Sequence, residues 1–446
     1  MKKYDSYKDS GIEWIGKIPE HWEVKKVNYC FELIGSGTTP TAGKSEYYDN
    51  GEFNWLQTGD LNNGEILETT KKVTQEALNE YSTLRFYPKN SLVIAMYGAT
   101  IGKTGLLKID STTNQACCVL SRPKNLNYRF AFYWLNYVKP HVISLSYGGG
   151  QPNINQEQIR SLKIQCPSPE EQTAIAAYLD RKTAEIDELI GDKKRLLELY
   201  DEEKTAIINQ AVTKGLPAEA AVQAGLNPDV PMKDSGIEWI GEIPEHWQLK
   251  KIKHFTQILS GSTPKSTVGS YWNGNINWVT TDDLGKLKTK DIIDSRRKIT
   301  EKGFNNSGTY LAEEGSIVIS TRAPIGHLGI LRIKACTNQG CKTIVGNTKF
   351  NSEFLYYYLF SSKNILNSLG VGTTFLELPT QSLRDYLVPL PPLEEQHHIV
   401  RHIETECARI DAKRSKTEKL IELLTEYRTA LISEVVTGKI KVTESF

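Results

Sequence analysis

With 446 residues, 39% of them hydrophobic and 24% charged, the chain can bury several cores and has the composition of an ordinary soluble protein. No apolar run approaches the ~20 residues of a membrane helix, and the KKYDSYKDS after Met1 is not a signal peptide, which argues against a membrane or secreted protein. Seven cysteines, an odd number without a CxxC pair, favour reduced thiols in the cytoplasm. The net charge of +1 divides unevenly: +3 over residues 1–165 and +5 over 233–390, against −5 over 170–212 and −2 over 394–436. Two basic blocks thus alternate with two acidic ones, a balance compatible with phosphate contacts but insufficient to establish them.

The opening KDSGIEWIGKIPEHW (Lys8–Trp22) returns at Lys233–Trp247 with only Lys17 changed, to Glu242. A match of this length marks a tandem duplication. Trp14, Ile15, Ile18, Pro19 and Trp22 read as a segment clamped onto the module by aromatic burial. Short strands and turns follow in the same order in each copy. SGTTP at Ser36 is answered by SGSTP at Ser260, and FNWLQTGDL at Phe53 by INWVTTDDL at Ile276. SLVIAMYGATIGKTGLL at Ser91 is answered by SIVISTRAPIGHLGIL at Ser316, and TNQACCVL at Thr113 by TNQGCKTIV at Thr337. Apolar runs bounded by Gly and Pro, such as Leu92–Ala95 and Ile317–Ser320, predict buried strands. Aromatic helical segments come next, from Arg129 and from Ser352, then a Gly-rich loop and a last strand.

SPEEQ at Ser168 carries the signals of a helix start: a capping hydroxyl, a first-turn Pro and a Glu that reaches back. Apolar residues then recur at Ile175, Leu179, Ile186, Leu189, Leu196, Tyr200 and Ile207 until Gly215 and Pro217. The pattern predicts a helix roughly 65 Å long, which needs a long partner. A second run supplies one, with Ile399, Ile403, Ile410, Leu420, Leu424 and Leu431 at the matching positions. The expected organisation is a first α+β module over 1–166, a long helix over 167–213 and an exposed linker over 214–232. A second module over 233–390, a second long helix over 391–437 and a tail over 438–446 complete it.

No catalytic motif stands up. The loop Gly98-Ala-Thr-Ile-Gly102-Lys103-Thr104 has three residues between its glycines where a phosphate-binding loop needs four, and its twin Arg322–Leu328 lacks the Lys and Thr. His398 and His402, four apart with Cys407 nearby, have Ala174 and Tyr178 as counterparts and are expected to be solvated helix residues. No cofactor or metal is expected.

The doubled order of these landmarks, ending in CPSPEEQ and LPPLEEQ, resembles the specificity subunit of type I restriction-modification enzymes over nearly the whole chain. The resemblance implies two α+β target-recognition domains separated by two long helices that pair as an antiparallel coiled coil, with pseudo-two-fold symmetry. It implies that each domain reads one half of a bipartite, asymmetric double-stranded DNA site. It also implies a subunit without catalysis that recruits two methyltransferase subunits and, in the full complex, two ATP-dependent restriction subunits. Helix length would then act as a ruler for the unread base pairs between the half-sites. A scaffold of another class stays open at this point: a duplicated adaptor whose modules bind protein, without DNA specificity.

Comparison of the two copies sorts the loop residues. What is shared is expected to be scaffold or phosphate-facing: Asp60 and Asp283, Asn114 and Asn338, Gln115 and Gln339. What differs in equivalent loops is the candidate reader: Lys44, Tyr97, Thr100, Lys103, Gln151 and Asn153 in module one, and Lys265, Arg322, His327, Lys342, Thr373 and Thr374 in module two. Lys and Arg suit guanine edges or phosphate, Asn and Gln suit adenine.

Overall fold

In the computed structural model, which describes residues 2–146, 153–346, 350–372 and 376–442, the doubled opening folds alike in both copies. Tyr7–Asp9 pairs antiparallel with Lys17–Pro19, and Met232–Asp234 with Glu242–Pro244. Gly16 and Gly241 turn each hairpin at φ of 73° and 65°, a region that side chains with a Cβ rarely enter. Ile18, Trp22, Ile243 and Trp247 are fully buried, so the aromatic clamp is core. Trp14 and Trp239 are half-buried and stack on His141 and Tyr386.

Each module is built on a five-stranded sheet of identical order. In module one the order is Phe31–Gly35, Cys117–Pro123, Leu92–Ala95, Thr104–Leu107 and Gly64–Ile66. In module two it is Thr256–Ser260, Cys341–Gly346, Ile317–Ser320, Leu328–Leu331 and Asp291–Ile292. Neighbours are antiparallel except the last pair in each sheet. The second to fourth strands are buried on both faces over most of their length, which is why Leu92–Ala95 and Ile317–Ser320 read as apolar runs. A three-stranded sheet centred on Phe53–Leu56 or Trp272–Val279 completes each module. The aromatic helices Tyr128–Ser144 and Ser352–Ser361 pack into the cores.

The long helices run over Pro169–Lys214 and Leu393–Val436. Ser168 Oγ accepts from the Glu171 N–H at 3.2 Å while Glu171 Oε2 accepts from the Ser168 N–H at 3.3 Å, a reciprocal capping box. The next residue ties helix to module. Gln172 Oε1 accepts from the Asn127 N–H and its Nε2 donates to Pro167 O, and Gln396 repeats both bonds with Asn351 and Pro391. His21 and Trp22 reach Glu171, and His246 and Trp247 reach Glu395. The doubled HW and EEQ are therefore two ends of one contact.

The chain packs as two compact units, residues 1–194 with 419–446, and residues 195–418. Each long helix contributes to both, so packing cuts across a division made by secondary structure alone. In the first unit Ile175, Leu179 and Ile186 share a core with Leu431, Ile432, Val435 and Val436, and Arg428 pairs with Asp187 at 2.8 Å. In the second, Ile208, Ala211 and Val212 share a core with Ile399, Val400 and Ile403, and Asp201–Arg414 and Lys204–Asp411 pair at 2.6 and 2.8 Å. Within each unit the start of one long helix lies against the end of the other, so the pairing is antiparallel. Ile410 is buried, and Leu196, Tyr200, Ile207 and Leu424 are half-buried. Two seam positions are corrected: Leu189 and Leu420 are each 39% exposed, and the half-buried residues are their neighbours Ile190 and Ile421. Three and four residues both approximate one helical turn, so the choice between adjacent positions belongs to the partner helix. Among the described residues no helix is long and apolar enough to cross a membrane.

Candidate nucleic-acid interface

Two doubled loops meet at one end of each five-stranded sheet. Gly37 N–H donates to Thr113 Oγ1 at 3.0 Å, and Ser262 N–H donates to Thr337 O at 2.9 Å. A Cβ on Gly37 or Gly261 would overlap the facing carbonyl oxygen of Thr113 or Asn338, so only glycine permits this approach. The indole N–H of Trp55 holds Thr38 O at 3.1 Å, and that of Trp278 holds Ser262 O at 3.0 Å. Asn114 and Asn338 each accept from the backbone N–H two residues on, at 3.1 Å, which makes them loop-fixing residues. Asp60 and Asp283 do the same work nearby, accepting from Gln57 and Thr280 N–H groups at 2.8 Å. Gln115 and Gln339 differ from them in being exposed.

On this shared frame the divergent side chains stand at matched positions. Tyr97 bridges to Asn153 through the backbone, and its hydroxyl donates to Gln115 O at 2.7 Å. Partial burial pushes its phenol pKa up, so it is a neutral donor. Arg322 takes the equivalent place, bridging to Glu377, and its Nε donates to Glu377 Oε2 at 3.1 Å. Glu377, which stands 224 positions after Asn153 in the matching Gly-rich loop, was missed by the sequence comparison although its counterpart Asn153 was named. Arg322 and Asn153 are exposed and Tyr97 half-buried. Lys342 is corrected as a surface reader: only 9% exposed, it sits within a strand and its Nζ donates to Ser260 Oγ at 3.0 Å. Burial lowers its pKa, and the matching residue in module one is the apolar Cys118.

The other expected readers are engaged or placed as follows. Lys44 stands over the Tyr47 ring at 5.0 Å and pairs with Glu46 at 3.3 Å. Lys265 is exposed where its carbonyl accepts from Trp272 Nε1. Thr100 folds its hydroxyl back onto Tyr97 O at 3.3 Å. Lys103 lies beside Lys139, whose pKa is lowered by burial and by that neighbour. His327 is pushed below the usual imidazole range by burial and by Lys363. The IG turns carrying these last residues join antiparallel strands, Leu92–Ala95 to Thr104–Leu107 and Ile317–Ser320 to Leu328–Leu331. No helix N-terminus follows them, so the phosphate-loop geometry is absent from this turn. Gln151, Thr373 and Thr374 lie outside the described residues.

A family model described as the type I restriction modification DNA specificity domain matches residues 19–199 and 244–423. The chain belongs to that family. It is similar to the type I restriction enzyme MjaIX specificity subunit of Methanocaldococcus jannaschii, 35% identical over 190 residues that span 42% of this chain and 44% of the relative. It is similar along almost its full length to the MjaVIII specificity subunit of the same organism, 24% identical over 96% of this chain and 94% of the relative. A chain solved under the description "Structural basis underlying complex assembly andconformational transition of the type I R-M system" superposes with a TM-score of 0.67 at 16% identity, covering 95% of this chain and 99% of that one. The likeness to that structure is one of fold. The family description carries DNA specificity, which disfavours an adaptor without it, and the specificity subunit's doubled loop clusters are its candidate DNA-facing sites.

Proposed function

We propose that the specificity subunit reads a bipartite, asymmetric double-stranded DNA sequence, one half-site per module, through the loop cluster at the sheet end. A single observation carries this reading: the same frame of Gly, Trp, Thr and Asn contacts is built twice, while the side chains it presents change from Tyr97 and Asn153 to Arg322 and Glu377. A duplicated binding protein with one ligand would keep both; a reader of two different sequences keeps the frame and changes the readers. Tyr97 and Asn153 offer hydrogen bonds suited to adenine or thymine edges, and Arg322 a guanidinium suited to guanine. Phosphate contacts from the modules' excess Lys and Arg would supply the sequence-independent part of the affinity.

In this reading the chain has no catalysis of its own and acts in the cytoplasm. Its long helices recruit two methyltransferase subunits and, in the full complex, two ATP-dependent restriction subunits. Mapping methylated bases in a host that expresses this chain with its methyltransferase tests the proposal. The expected result is a motif of two short specified blocks separated by a fixed unspecified spacer. A contiguous motif, or methylation by the purified chain alone, would overturn it.

A further inference from the structure

We propose that Gln115 and Gln339 are a matched pair of phosphate anchors, one per module, that grip the DNA backbone irrespective of sequence. The inference rests on the DNA reading above and assigns a role that reading leaves open. In module one the Thr39 hydroxyl donates to Gln115 Oε1 at 2.5 Å, and in module two the Thr263 hydroxyl donates to Gln339 Oε1. Both bonds are made across the meeting of the two doubled loops, and both turn the amide the same way. With the oxygen tied to the threonine, the wholly unengaged group each side chain presents to an incoming ligand is its NH2. Among the described residues no hydrogen bond uses either amide nitrogen, and both side chains are exposed.

The chemistry of that presentation favours phosphate over a base edge. Bidentate recognition of adenine needs the glutamine oxygen to accept from N6 while the nitrogen donates to N7. A hydroxyl bound to one lone pair of that oxygen fixes the amide plane, so the side chain is not free to turn both its oxygen and its nitrogen onto an adenine edge. Phosphate oxygens accept only, which matches the two unengaged N–H donors each amide holds outward. The duplication makes the same point independently. A residue that discriminates bases would differ between modules that read different half-sites, as Tyr97 and Arg322 do at their shared position. Gln115 and Gln339 do not differ, and neither do the threonines that orient them. Asn114 and Asn338, one residue earlier, are spent on their own loops, so the glutamine is the doubled side chain of the TNQ loop left facing outward.

The test uses the full chain assembled with its methyltransferase and two duplexes of equal length, one carrying the mapped site and one scrambled. Gln115→Ala and Gln339→Ala are each expected to weaken binding to both duplexes by the same factor, about tenfold for a lost hydrogen bond to a charged group. The double variant is expected to lose about a hundredfold. The dependence of affinity on salt should keep its slope, because no cation has been removed. Replacing single phosphates of the site by methylphosphonates should reveal one position per half-site whose neutralisation weakens the wild type and leaves the corresponding Gln→Ala variant indifferent. Loss confined to the mapped site would make the glutamine a base reader and overturn the proposal, as would unimpaired variants beside a wild type that binds. A wild-type complex that binds neither duplex would instead refute the DNA reading beneath it.

Discussion

Arg322 and Tyr97 occupy one position on one frame and carry different chemistry there, a guanidinium and a phenol. Arg322 is held by Glu377 through one nitrogen of its fork, which leaves the others for a base edge. Arg322→Ala is therefore expected to cost ~1–3 kcal/mol on the cognate site and to relax a single position of one half-site. Affinity measured across all four bases at each position checks this; uniform weakening would make Arg322 a phosphate contact. The sequence comparison located Tyr97 and Arg322 because the flanking strands align without gaps. It could not find the bonds that orient them. Thr39 meets Gln115, and Thr263 meets Gln339, across 76 residues in both cases, and a threonine in a turn carries no sign of its partner. Lys342 misled for a related reason: a lysine in a row of strand residues reads as an outward charge, yet its long apolar stem is buried and only its tip finds Ser260.

At the scale of elements, the long helices were legible in length and in the capping of the first, since those follow from periodicity and end signals, whereas their antiparallel partnership was implied by the family resemblance. Most inward-facing residues were legible too, Leu196, Tyr200 and Ile410 among them, and the reading slipped only where polar residues share the seam. Toward the middle the half-buried positions include Lys193, Tyr200 and Lys204, and an apolar count slides by one residue, from Ile190 to Leu189. The structure separates the two directly. Ile186→Ala is expected to destabilise the chain by ~2–4 kcal/mol through a core cavity, whereas Leu189→Ala should stay within ~0.5 kcal/mol. Denaturant unfolding followed by circular dichroism checks both; equal losses would place Leu189 back in the seam. The doubled EEQ was legible as a repeat but not as a joint. Its glutamine satisfies the start of an aromatic helix and its second glutamate receives an indole and an imidazole, contacts between segments 45 to 150 residues apart.

For the whole molecule, duplication was the most legible feature, because an almost unchanged fifteen-residue segment leaves no other origin. The compact units were less so, since each draws on both long helices and no composition shift marks the middle of a helix. Continuous helices that enter both units also give the ruler idea a concrete form. Adding four residues, about one helical turn, to both long helices is expected to lengthen the unread spacer and leave the specified bases unchanged. Methylation mapping of the variant checks this, and an unaltered spacer would remove the idea. The central claim, one half-site per module, is tested most directly by repeating that mapping on two variants in parallel, Tyr97→Ala with Asn153→Ala and Arg322→Ala. The account expects the first to change the bases specified in one block only and the second to change the other block only. Either variant altering both blocks, or both variants altering the same one, would contradict it.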